Sequence, residues 1–83
     1  MSNTETTDII CRLIVEMKPE TGDKVRADAR LQSGIGLTSV EIIDLVLAAE
    51  DEFEIEIPDD DTGALMDATV EELAQRVETL SSS

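Results

Sequence analysis

The 83-residue sequence predicts an all-α fold of three main helices and one minor one. Three observations carry that expectation. Apolar residues recur at helical spacing in three separate stretches, and Thr-x-x-Glu capping boxes open two of them. The one alternating stretch, Glu54-Ile55-Glu56-Ile57-Pro58, has no second strand to pair with, and a lone strand would leave its backbone unsatisfied.

The first stretch holds Ile9, Ile10, Leu13, Ile14 and Met17 on one face of a helix that begins near Thr4 and ends before Pro19, with Ser2 or Thr4 as its cap. Cys11 is expected on the far side of that wheel beside Val15, an incidental small residue that is partly covered, since no neighbouring cation or histidine lowers its pKa. From Lys18 to Thr38 the periodicity fails. Pro19, Gly22, Gly34 and Gly36 fall here with Lys18, Lys24, Arg26 and Arg30, which marks a long loop. Such a loop in a small domain is normally functional or anchored, and Val25, Leu31, Ile35 and Leu37 are the expected anchors.

Thr38-Ser39-Val40-Glu41 is a capping box, so a helix starts at Ser39 and runs to about Phe53. Ile42, Leu45, Val46, Ala49 and Phe53 form its inner stripe. Val40, Ile43 and Leu47 lie roughly 100–160° around the wheel from Ile42, at ~100° per residue, next to Asp44 and Asp51. Ile55 and Ile57 then tuck an extended connection inward. Residues 59–66 make a short helix with acids at its positive end, weakened by Gly63. A second box, Thr69-Val70-Glu71-Glu72, opens the last helix, with Val70, Leu73, Ala74, Val77 and Leu80 as its apolar stripe. The whole chain, 1–83, reads as one domain with a disordered tail at 81–83.

Composition narrows function. There are 20 Asp and Glu against 6 Lys and Arg, for a net charge of −14, with no histidine, tryptophan or tyrosine and a single cysteine. Without histidine there is no Ser-His-Asp or Cys-His device, and one cysteine builds neither an internal disulfide nor a thiolate zinc site. A domain this small buries only about 60–65% of its unfolded surface, too little for a deep enclosed active site. Independent catalysis is therefore not expected. The charge repels nucleic acid and anionic membranes and favours basic partners. No stretch reaches the roughly 18–20 apolar residues that span a bilayer, and the start of the chain lacks a signal peptide's basic and apolar run, so a cytoplasmic monomer is expected.

Between Glu41 and Asp61 there are ten acids in 21 residues and no Lys or Arg. A solvated helix face accounts for such a run. An apolar strip of Val40, Ile43 and Leu47 ringed by these acids is also what a transient interface needs. Asp59-Asp60-Asp61-Thr62-Gly63 fails as an EF-hand loop: with Gly63 at position 6, Pro58 takes position 1 and Thr69 position 12. No metal site is assigned. Ser39 is the remaining handle, an exposed first-turn hydroxyl with no base to activate it, placed for modification by another enzyme.

With these residues in view, the sequence resembles the acyl carrier proteins, whose usual stretch reads Leu-Gly-x-Asp-Ser-Leu before an acidic helix ending Glu-Glu-Phe and a connection closing Glu-Ile-Pro-Asp. Here Ile35-Gly36-Leu37-Thr38-Ser39-Val40, Glu50-Asp51-Glu52-Phe53 and Glu56-Ile57-Pro58-Asp59 follow at the same spacing. Val25, Asp28 and Leu31 suit the family's first loop and Thr69 to Ala74 its last helix, so the likeness covers roughly Ile9 to Leu80. The resemblance implies a four-helix bundle with a long loop between its first and second helices, and a covalent 4′-phosphopantetheine on Ser39 that holds acyl groups as thioesters. It implies a phosphopantetheinyl transferase and the basic surfaces of acyltransferases and ketoacyl synthases as partners. They would meet Val40, Glu41, Ile43, Asp44, Leu47, Glu50 and Asp51. It also implies that Ile42, Val46 and Leu65 line an acyl cavity.

Thr38 replaces the usual aspartate, Val40 the usual leucine and Gly34 a frequent aspartate, and the stretch from Pro58 to Val70 is about two residues longer than in the common fatty-acid carrier. These departures point to a specialised bacterial type. The alternatives are an aminoacyl or peptidyl carrier, a degenerate carrier fold serving as an unmodified acidic binding module, and, more remotely, a calcium-responsive acidic protein.

Overall fold

Helical spacing, two capping boxes and a loop tied down by apolar anchors build the bundle. A computed structural model describes residues 3–81. Among them, α1 spans Asn3–Met17, α2 Ser39–Phe53, α3 Asp59–Ala64 and α4 Val70–Ser81, with a single 3-10 turn at Pro19–Thr21 and no strand. α1 packs chiefly against α4 and less extensively against α2.

Ile10 and Ile14 of α1 are fully buried, while Ile9, Leu13 and Met17 are half-buried along the edges of the same face. Each such isoleucine stabilises the fold by about 1.5–3 kcal/mol relative to exposure. Thr4 is not the cap, because the helix already includes Asn3; Ser2 lies outside the described residues. Cys11 is not on the far side either. It sits about 60° from Ile14 at ~100° per residue and packs half-buried against the core. Thr6, Thr7 and Thr21 are buried as well, three polar residues that apolar periodicity does not register.

The long loop is anchored as its sequence suggests. Leu31, Ile35 and Leu37 are buried and Val25 half-buried. Backbone bonds from Leu31 N–H to Ala68 O (2.9 Å) and from Val70 N–H to Ala29 O (3.0 Å) flank an isolated bridge between Arg30 and Thr69, so the loop runs beside the entry to α4. Gly34 closes a tight turn there, its N–H donating to Arg30 O. A Cβ at Gly34 would lie 2.8 Å from both the backbone N and O of Arg30, and Gly36 has a φ of +90°. Both positions need glycine.

Ile42, Leu45, Val46 and Ala49 form the inner stripe of α2, with Phe53 half-buried at its end. The helix stops at Glu54, whose φ of 54° and ψ of 49° put a non-glycine residue in the left-handed region while its N–H donates to Glu50 O. Glu54 to Pro58 is extended without a strand partner, with Ile57 buried and Ile55 half-buried. α3 is shorter than its sequence suggests, ending at Ala64 rather than at residue 66, because Leu65 turns in to bury its side chain and its N–H donates to Asp61 O at 3.0 Å. No residue of α3 itself is buried.

Thr69 caps α4 as expected: its Oγ1 accepts from Glu72 N–H at 3.1 Å, and Glu72 Oε1 accepts from Thr69 N–H at 3.0 Å. Val70, Leu73, Ala74 and Val77 are buried behind it, and Leu80 is half-buried. Ser81 is the last residue of α4, and Ser82 and Ser83 lie outside the described residues.

Candidate functional site

The start of α2 is built by three residues around one carboxylate. Thr38 takes extended geometry as N-cap, and its Oγ1 accepts from Glu41 N–H at 3.2 Å. Glu41 Oε1 accepts in return from Thr38 N–H at 2.9 Å and from Lys18 Nζ at 3.1 Å. The Thr38 amide, and after it the Lys18 ammonium, hold the Glu41 carboxyl below the usual glutamate range. Lys18 lies just beyond the end of α1, so this pair ties α1 to the first turn of α2.

Ser39, the first residue of α2, is exposed, and its Oγ accepts from Gln32 Nε2 at 3.3 Å. The first-turn amides of a 15-residue helix favour an anion at this end, and Lys18 offsets the Glu41 charge beside it. An open hydroxyl in that setting fits a phosphodiester-linked group.

The outer face of α2 follows. Val40, Ile43 and Leu47 are 67%, 43% and 57% exposed, unusual for large apolar side chains, and Asp44 and Asp51 are exposed among them. Val40, Asp44, Leu47 and Asp51 follow i, i+4, i+7 and i+11, a single stripe alternating apolar and acidic groups. Glu41 and Glu50 differ from these acids. Glu41 is engaged as above, and Glu50 is half-buried with Oε2 accepting from Ile57 N–H at 2.6 Å, stitching the extended connection to α2.

A cleft of about 470 Å³ opens between α2 and the 56–66 segment. Ile43, Val46, Leu47, Ile57 and Met66 give it apolar walls, while Glu50, Glu56, Asp59 and Thr62 supply polar groups. Of the three residues expected to line one acyl cavity, only Val46 lies on this cleft. Ile42 is fully buried in the core, and Leu65 lines a separate groove of about 380 Å³ between α3 and α4. The cause is the turn at Leu65, which carries that side chain to the α4 side of α3.

Across that second groove, Arg76 of α4 grips Asp61 of α3 with two bonds, Nε to Oδ2 at 2.9 Å and Nη2 to Oδ1 at 2.6 Å. Sequence reasoning misses this pair, as it misses Lys18 and Gln32. The partners stand 15, 23 and 7 residues apart, and no helical period joins elements that are not continuous.

The family model described as the phosphopantetheine attachment site matches residues 8–77. That match, on a four-helix fold with an exposed serine opening its second long helix, defines a carrier protein with 4′-phosphopantetheine as its prosthetic group. Similar proteins include the acyl carrier proteins of Bdellovibrio bacteriovorus, 41% identical over 66 residues covering 80% of this chain and 82% of that one, and of a Sulfurovum species, 33% identical over 73 residues covering 88% and 95%. The acyl carrier protein of Prochlorococcus marinus is 33% identical over 60 residues, covering 72% and 75%. The chain belongs to the acyl carrier protein family.

Proposed function

We propose that Ser39 is the attachment point of the 4′-phosphopantetheine arm, and that the arm's thiol holds acyl intermediates as thioesters for enzymes of fatty-acid, polyketide or related biosynthesis. The observation that carries this reading is the position of the Ser39 hydroxyl, exposed at the first turn of α2 and followed by an exposed face of apolar and acidic residues. The protein has no catalytic role of its own in this reading; it acts as a cytoplasmic monomer that presents cargo. Among the described residues no helix is long and apolar enough to cross a membrane.

A phosphopantetheinyl transferase, acyltransferases and ketoacyl synthases dock on α2 through basic surfaces. Val40, Ile43 and Leu47 supply apolar contact, and Asp44 and Asp51 supply carboxylates open to an incoming Lys or Arg. Glu41 and Glu50, each held by an internal hydrogen bond, add to the field that steers encounter.

The test is intact mass after incubation with coenzyme A and a broad-range phosphopantetheinyl transferase. A gain equal to the arm, absent in Ser39→Ala, is the expected result. No gain with several transferases overturns the assignment.

A further inference from the structure

α3 is placed by an unusual balance of forces. It has no buried residue, its N-cap is Pro58 without a side-chain cap, and Gly63 lies within its six residues. Among the described residues its apolar anchoring comes from outside it, through Ile57 before and Leu65, Met66 and Ala68 after. A helix so short does not hold itself in water. Its one cross-helix grip among the hydrogen bonds described above is the paired bond from Arg76 to Asp61. The Asp61 side chain is only 20% exposed and that of Arg76 42%, so the pair is partly withdrawn from solvent and fork-shaped, the geometry in which guanidinium and carboxylate bind best.

The two sides of α3 do different things. Asp61 faces α4, whereas Thr62 and Gly63, with Met66 just beyond, line the cleft toward α2. A shift of α3 away from α4 therefore changes the width of the cleft on its other side. The opposing wall, on α2, belongs to a helix with four buried residues and a complete capping box. Of the two walls, α3 is the one with little to hold it.

We propose that the Asp61–Arg76 pair is a latch that fixes α3 as one wall of the α2–α3 cleft, and so determines which acyl cargo the cleft shelters. The cargo half rests on the carrier reading above; the latch half does not. Cargo is an apolar acyl chain that lies against Val46, Leu47, Ile57 and Met66, and its fit depends on where α3 is held. With the latch broken, α3 detaches locally while the α1, α2 and α4 core persists, and an acyl chain in the cleft loses its cover. Arg76 and Asp61 are thus positioning residues for the cargo and touch neither the arm's phosphodiester nor the thioester.

The first measurement uses unmodified protein and amide hydrogen exchange. The N–H groups of Thr62 and Leu65, bonded to Pro58 O and Asp61 O, report on α3, and that of Lys18, bonded to Ile14 O, reports on the core end of α1. Arg76→Met keeps the apolar stem and Asp61→Asn keeps the shape. In each, the α3 amides are expected to exchange about tenfold faster with the α1 amide unchanged. The double variant should be no worse than the more affected single one, as for two residues acting as a unit.

The second measurement loads parent and variants with decanoyl-phosphopantetheine, verified by intact mass, and follows hydroxylamine cleavage of the thioester. Cleavage about threefold or more faster in Arg76→Met, with a short acetyl thioester cleaved equally in both, is expected if the cleft shelters the longer chain. Equal α3 exchange in parent and variants, additive effects in the double variant, or equal decanoyl cleavage each overturns the proposal. Failure of the carrier reading shows separately, as absence of the mass gain.

Discussion

Glu41 carries three tasks on one carboxylate. It completes the cap of α2, binds Lys18 from the end of α1, and stands two residues from Ser39. Glu72 completes the cap of α4 in the same way, and the Thr69 amide is the main cause of its lowered pKa. For both groups the folded pKa lies below the ordinary 4.5. The unfolded chain therefore binds more protons as pH falls through that range, and the stabilisation, complete above about pH 4.5, is lost as pH drops through the lower folded values. The expected outcome is a shallower acid limb for a Glu41→Gln, Glu72→Gln double variant than for the parent, measured by urea unfolding at stepped pH. Identical limbs would show that these caps do not couple to protonation. Both caps were legible in the sequence because their partners are three residues apart; Lys18 was not, because its partner is 23 residues away and the loop between carries no periodicity.

At the level of elements, sequence pattern located α2 and α4 to the residue where a capping box marked the start. It overran α3 by two residues, since Leu65 and Met66 continue the local composition while burial of Leu65 turns the chain. The family resemblance, for its part, implied one cavity from Ile42, Val46 and Leu65, which the fold divides between a core, a cleft and a groove. Two backbone features at element ends make predictions. Glu54 adopts the left-handed conformation that costs a non-glycine residue about 1 kcal/mol. Glu54→Gly is therefore expected to raise stability by roughly 0.5–1 kcal/mol in chemical denaturation. Gly34→Ala is expected to lower it by roughly 1–3 kcal/mol, because the added Cβ meets Arg30 backbone rather than a movable side chain. A neutral result at Gly34 would mean that the loop can open at no cost.

For the molecule as a whole, the surplus of acids sets the balance. Salt bridges from Arg12 and from Lys18, just after α1, reach α2, and one from Arg76 joins α4 to α3, but with all six cations counted against the 20 acids a net charge of −14 remains unopposed. Moving from very low salt to about 0.15 M, where the screening length is ~8 Å, is expected to raise the melting temperature. Each kcal/mol of repulsion relieved corresponds to roughly 4–8 °C for a domain of this size. A melting temperature independent of ionic strength would show that the acids are too well separated to matter. The same excess of charge was plain from composition; where it is open to a partner became clear only once Glu41 and Glu50 were seen bonded inward and Asp44 and Asp51 outward on α2.

Cys11 has a consequence for a molecule that gains a second thiol. Burial first, and the nearby Asp8 carboxylate second, push its thiol above the ordinary 9.0, so near neutral pH it stays protonated and partly covered. Once the arm is installed, its exposed thiol is the competent nucleophile, and the polypeptide offers little competition for an activated acyl group. Limiting iodoacetamide at neutral pH is accordingly expected to alkylate the arm before Cys11, as read by peptide mass. The fold thereby keeps its own thiol protonated and partly covered, which disfavours transfer of cargo from the arm onto the carrier itself.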